Sequence, residues 1–130
     1  MNRFSFSTID NDKFASDSIL ESYIETALWC SMDFEGEPLD KNFDINDLSR
    51  ESLKQAKKDL WAFIEMADTL LDGYALETVS HDFWLTRNRH GAGFWDGDYE
   101  KSIGQALTEM AHGFGEINPI VGDDGLIYFE

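Results

Sequence analysis

The feature that most restricts how this chain folds is an apolar stripe running through residues 50–72. Leu53, Ala56, Leu60, Phe63, Ile64, Ala67, Leu70 and Leu71 recur at intervals of three and four, which a helix of 3.6 residues per turn gathers onto one face. Such a helix extends about 34 Å at 1.5 Å per residue. Ser49 or Asp47 is placed to cap its first free N–H groups, and Gly73 to stop it. Lys54, Lys57 and Lys58 share the other side with Asp59, Glu65 and Asp68 and read as a solvated face. A face of that length is stable only when covered, so the rest of the chain must cover it.

Two further helices are signalled. Ser18 and Glu21 stand in the spacing of a capping box, and Leu20, Tyr23, Ile24, Ala27 and Leu28 follow at helical spacing, predicting a helix over residues 18–31. Ile103, Ala106, Leu107, Met110, Ala111 and Phe114 predict another over residues 99–114, ended by Gly113 and Gly115. Between them, residues 82–87 are rich in β-formers, residues 88–91 are turn-like and residues 92–96 are short and aromatic, which predicts a β-hairpin. Its register pairs Arg87 with Ala92, Leu85 with Phe94 and Trp84 with Trp95, so that Phe83, Leu85 and Phe94 share one face and the two tryptophans the other. A second hairpin follows, residues 116–121 and 126–129 about the turn Gly122-Asp123-Asp124-Gly125. The expected fold is α+β, three helices packed on one face of a small antiparallel sheet built from these two hairpins.

The chain has 130 residues, the length of one ordinary domain, and 42 % of them are hydrophobic. Residues 1–16 carry apolar residues without a clear period and read as a flexible arm, residues 17–130 as a single domain. The single cysteine, Cys30, has no partner for an intramolecular disulfide, and there is no signal-like or membrane-length apolar run. A cytoplasmic protein is expected, without a membrane partner.

Twenty-six acidic residues against 10 basic ones give a net charge of −16. That field repels nucleic acid and anionic membrane and attracts basic proteins, many of which bind nucleic acid. The carboxylates are densest in residues 33–47, where Asp33, Glu35, Glu37, Asp40, Asp44 and Asp47 face the single base Lys41, and Gly36 and Pro38 make the segment a loop. Asp33, Glu35, Glu37 and Asp44 match positions 1, 3, 5 and 12 of an EF-hand, but Pro38 stands where the turn needs glycine and Asp44 where a bidentate glutamate is usual. No metal is assigned.

Catalytic signals are weak. A hairpin places His81 and His90 near opposite ends, roughly 20 Å apart at about 3.3 Å per residue. Cys30 has no histidine near it in sequence, and residues 90–93 lack the spacing of a phosphate-binding loop. No catalytic residue and no cofactor is assigned, and a non-enzymatic protein is expected.

The stretch HDFWLTRNRHGAGFWD, residues 81–96, resembles a motif of short, mostly uncharacterised acidic proteins of tailed phages, prophages and mobile elements. The likeness extends from Ile19 to Tyr128 and includes the loop Gly36-Glu37-Pro38-Leu39-Asp40 and the segment from Ile120 to Gly125. Arg89 departs from it, standing where the motif carries glycine. The resemblance implies a phage or mobile-element origin and a role against the host, with no particular activity attached.

Three readings follow. The leading one is an accessory protein that binds and inhibits a basic host defence protein, its acids (Asp33, Glu35, Glu37, Asp40, Asp44, Asp47) imitating DNA phosphates. The second is a ligand- or nucleotide-binding domain or enzyme with a pocket at the hairpin, where Trp84, Arg87, Asn88, His90, Trp95 and Asp96 are the candidate contacts. The third is an interaction module of phage replication or assembly, with a homodimer through the aromatic face.

Overall fold

The computed structural model describes the backbone of residues 13–130 and the side chains of residues 18–130. Of the expected arm, residues 1–12 lie outside the described residues, and residues 13–16 belong to the first helix. The described residues form α1 (Lys13–Trp29), α2 (Arg50–Ala67), α3 (Leu76–Arg87), α4 (Lys101–His112) and an antiparallel pair, β1 (Pro119–Val121) and β2 (Ile127–Phe129). The class is α+β. Four helices stand where three are expected, however, and the sheet has two strands.

The long stripe forms α2. Ser49 caps it by accepting from the Ser52 N–H, Ala56, Leu60, Phe63, Ile64 and Ala67 are buried, and a short 3₁₀ turn (Asp68–Leu70) follows, with Gly73 beyond it at φ 88°. The last turn of the expected helix thus tightens into 3₁₀ geometry. α1 begins before the expected cap. Ser18 lies inside it, and its hydroxyl donates to Glu77 Oε2 at 2.9 Å instead of capping.

The main correction concerns the first hairpin. Residues 82–87 complete α3, and residues 88–100 are an irregular loop. Val79, Phe83 and Arg87 fall on one row of the helix and Ser80 and Trp84 on the next, and all five are buried. Glu77 in the first turn and Arg87 in the last suit the helix dipole. Strand preference of Phe, Trp and Thr spans only about 1 kcal/mol, whereas burying one large apolar side chain contributes roughly 1.5–3 kcal/mol. The geometry that buries Phe83 and Trp84 together therefore prevails.

The aromatic residues of the motif build the core. Tyr23 of α1, Phe83 of α3, Phe63 of α2 and Phe94 of the loop stack in sequence, with centroids 5.5, 4.2 and 5.6 Å apart and planes within 20° of parallel. Phe114 packs edge-on against Phe83 at 5.1 Å, and Tyr99 edge-on against Phe94 at 5.2 Å. Offset stacks and edge contacts of this kind add about 0.5–1.5 kcal/mol per pair beyond burial.

One charge sits beside this stack. The Arg87 guanidinium donates from Nη1 to Asp59 Oδ2 at 2.9 Å and to the Tyr23 hydroxyl at 3.0 Å, from Nε to the Gly115 carbonyl at 2.9 Å and from Nη2 to the Phe114 carbonyl at 3.1 Å. It lies 5.7 Å from the Phe83 centroid and 5.8 Å from that of Phe114. Arg87 thereby joins α1, α2, α3 and the end of α4.

The second hairpin forms as expected in place and turn. Pro119, Ile120 and Val121 pair with Phe129, Tyr128 and Ile127. Asp124 shapes the turn, accepting from the Leu126 N–H and the Tyr128 hydroxyl, bonds that hold its carboxyl below the usual range. β2 docks on the start of α2, where the Ser49 N–H donates to the Ile127 carbonyl at 2.9 Å and the Phe129 N–H to the Ser52 hydroxyl at 2.9 Å.

α3 ends in a Schellman motif. The His90 N–H donates to the Leu85 carbonyl and the Arg89 N–H to that of Thr86, each at 3.0 Å, with Arg89 at φ 57°. Arg89 therefore occupies a left-handed position that favours glycine at a helix end, where a side chain costs about 1 kcal/mol. Arg89→Gly is expected to stabilise the fold by about 1 kcal/mol in urea denaturation. A second expectation concerns alkaline pH. Burial pushes the Tyr23 phenol from its ordinary 10.0 up to about 12, against the opposing pull of Arg87. The unfolded chain releases that proton first, so the contribution is intact below pH 10 and is lost as pH climbs to about 12, amounting to roughly 3 kcal/mol. Stability measured across that interval should fall less steeply in Tyr23→Phe than in the wild type.

Candidate functional site

The candidate contacts of residues 81–96 separate into a buried set and an exposed set. Trp84 is 1 % exposed and packs edge-on against Tyr23, while Arg87 is the buried cation just described. Neither presents its side chain to solvent. Trp95 is 47 % exposed. The expected pocket of Trp84, Arg87, His90 and Trp95 is therefore not formed, and the two tryptophans do not share one aromatic face. Both corrections have one cause: in a helix followed by a loop, residues 84 and 95 are no longer cross-strand neighbours.

Asn88 works on the backbone, its Nδ2 donating to the Trp84 carbonyl at 3.1 Å and its Oδ1 accepting from the Ile117 N–H at 2.8 Å. It ties the end of α3 to the segment before β1. The histidines also lie differently from expectation. His81 Nδ1 is 2.8 Å from Thr26 Oγ1, whose own proton goes to the Ser22 carbonyl, so Nδ1 is the donor. His90 Nε2 lies 3.8 Å from Cys30 Sγ. Cys30 follows the last residue of α1, one turn beyond Thr26, whose carbonyl accepts from the Cys30 N–H, so the two histidines meet successive turns at that end of the helix instead of opposite ends of a hairpin.

Sequence separation hid the approach of His90 to Cys30. The pair is a poor nucleophile nonetheless: burial pushes the Cys30 thiol up, and its place at the C-terminal end of α1 disfavours a thiolate. The buried Trp84 Nε1–H faces the same sulfur and partly offsets that rise.

Residues 93–99 form a tightly specified loop. The Gly93 N–H donates to Asp96 Oδ1 at 3.0 Å, and the Phe94 N–H to Thr86 Oγ1 at 3.1 Å. At Gly93, φ 155°, a Cβ would lie 2.4 Å from Thr86 Oγ1 and 3.0 Å from the Trp95 ring. At Gly104 a Cβ would lie 2.6 Å from the Phe94 carbonyl oxygen, so glycine lets α4 approach the loop. The Tyr99 hydroxyl donates to Asp82 Oδ2 at 2.7 Å. Burial pushes the Asp82 carboxyl up, and the bond from Tyr99 opposes that shift. Trp95 is thus held over a groove of about 440 Å³ whose other walls include Tyr99, Lys101, Gln105, Thr108 and Glu109.

The acidic loop makes a second exposed feature. Met32 bridges to Pro38, the Asp33 N–H donates to the Glu37 carbonyl at 2.9 Å and the Gly36 N–H to the Asp33 carbonyl at 3.0 Å, with Gly36 at φ 85°. Asp33 Oδ1 accepts from the Glu35 and Glu37 N–H groups at 2.8 and 3.0 Å. These bonds close a finger with Phe34 at its tip, 95 % exposed. Trp29 and Met32 at its base are 58 % and 68 % exposed. Asp33, Glu35 and Glu37 each bring one oxygen within 4.8 Å of the others, and Glu37 pairs with Lys41. Asp44 and Asp47 belong elsewhere, forming a reciprocal capping box about the 3₁₀ turn Ile45–Asp47, and Asp40 is exposed in the turn Leu39–Lys41.

Sequence reasoning missed Phe34, Trp29, Met32, Lys101, Gln105 and Glu109. A signal existed for Phe34, an aromatic residue between two acids just before a turn glycine, where no apolar stripe can claim it. The groove had none, because it exists only once Gly104 lets α4 and the Trp95 loop meet. Gly104→Ala should displace that loop, costing about 1–3 kcal/mol of stability and shifting the Trp95 indole resonance in NMR spectra. No protein-family model, curated protein or solved structure matches this chain.

Proposed function

We propose that this is a non-enzymatic accessory protein of a phage or mobile element that binds and inhibits a basic, nucleic-acid-binding host protein. The observation that carries the reading is Phe34, fully presented at the tip of a hydrogen-bonded finger and flanked by Asp33, Glu35 and Glu37. An exposed aromatic side chain entering a partner's pocket supplies affinity, and the surrounding carboxylates supply orientation and approach rate. A net charge of −16 extends the attraction beyond the finger and favours surfaces that otherwise hold phosphates. The finger's prior order lowers the entropy lost on binding. The protonated thiol of Cys30 and the hydrogen-bonded His81 support the non-enzymatic part of the proposal.

The test is affinity capture from host lysate at physiological salt, comparing the wild type, Phe34→Ala and a variant with Asp33, Glu35, Glu37 and Asp40 neutralised. The expected result is a basic nucleic-acid-binding protein retained by the wild type, lost from both variants and displaced by duplex DNA. A partner that survives both variants, or that duplex DNA does not displace, would overturn the proposal.

A further inference from the structure

The groove under Trp95 is the feature this function does not absorb. Its volume of about 440 Å³ lies within the roughly 300–1,000 Å³ usual for ligand pockets. Lys101, Gln105 and Glu109 follow one another at four-residue spacing on α4, so they line one side of the groove as an ammonium, an amide and a carboxylate. All three are exposed, and none has a side-chain partner among the described residues. Trp95 lines the same groove, its ring close against Gly93.

We propose that this groove binds an arginine side chain of a basic peptide segment, the guanidinium stacking on Trp95 and pairing with Glu109 while Lys101 and Gln105 hold the peptide backbone. The proposal deepens the basic-partner reading by naming a second contact. Charge decides the class of ligand. Residues 95–109 carry the carboxylates of Asp96, Asp98, Glu100 and Glu109 against Lys101 alone, so a phosphate or carboxylate ligand is repelled and a cation attracted.

The shape of the site selects arginine over lysine. A planar guanidinium can lie flat on an indole while donating two parallel hydrogen bonds to a carboxylate, which a compact ammonium cannot do. The chemistry of the row fits a peptide: a donor at Lys101 for a carbonyl oxygen, an amide at Gln105 that both donates and accepts, and an acceptor at Glu109 for the cation. Rigidity comes from the close contacts at Gly93 and Gly104 and from the buried ring of Phe94, which fix the backbone leading into Trp95.

The experiment titrates the full chain with a capped Arg-Gly repeat hexapeptide, the matching Lys-Gly hexapeptide and adenosine monophosphate, following the indole N–H resonance of Trp95 by NMR. The arginine peptide is expected to shift that resonance saturably. Glu109→Gln should weaken it about tenfold, and Trp95→Phe should weaken calorimetric affinity about as much, with denaturation midpoints unchanged. The finger variant neutralised at Asp33, Glu35, Glu37 and Asp40 should bind the peptide at the groove as the wild type does. No saturable shift, an equal response to the lysine peptide or the nucleotide, or indifference to Glu109→Gln would overturn the inference. Capture of the basic partner through the finger would stand or fall separately.

Discussion

The structure depends on the buried guanidinium of Arg87. Arg87 is enclosed where α1, α2, α3 and the end of α4 meet, and a guanidinium withdrawn from water persists only when its donors are satisfied. Asp59 balances its charge, the Tyr23 hydroxyl and two carbonyls from residues 114 and 115 take further N–H groups, and Phe83 and Phe114 offer their rings. Those partners come from α1, α2, α3 itself and the segment that follows α4. Displacing any helix would leave a buried charge short of partners, so the interaction sets the relative positions of the helices more stringently than apolar contact alone.

With that arrangement set, the remaining aromatic residues divide into two roles. Tyr23, Phe63, Phe83 and Phe94 stack through the core, and Trp84 packs edge-on against Tyr23. Phe34 and Trp95 are instead held outward by segments whose backbone bonds and glycines leave them little freedom. An exposed aromatic residue on a fixed loop has already met the ordering cost of binding. That distinction separates the outward-facing aromatic residues of the acidic finger and the Trp95 groove from the stacked rings that hold the core.

The sequence patterns that proved legible were local. The stripe of α2 with its Ser49 cap, the stripe of α4 and the Gly-Asp-Asp-Gly turn each follow from residues within a few positions of one another. Leu76, Val79 and Phe83 also carry helical spacing, yet a window opening at residue 82 cuts that signal in half and leaves a β-rich remainder. Reading α3 as a hairpin added two strands, made Trp84 and Trp95 cross-strand neighbours, set Arg87 at a hairpin tip and parted His81 from His90. The left-handed Arg89 and the closing bonds of residues 89 and 90 mark the helix end that the hairpin reading concealed.

By itself the sequence determined the class α+β, three of the helices, the second hairpin and the acidic surface, because spacing, caps, turn glycines and charge act over short range or need no geometry at all. Only the tertiary structure decided that residues 82–87 are helical, that Trp84 is buried and Trp95 exposed, and that Arg87 lies inside. Those outcomes turn on which faces meet across the chain: the local preference for strand is worth about 1 kcal/mol, and the burial of Phe83 and Trp84 against Tyr23 and Phe63, with Arg87 satisfied beside them, outweighs it.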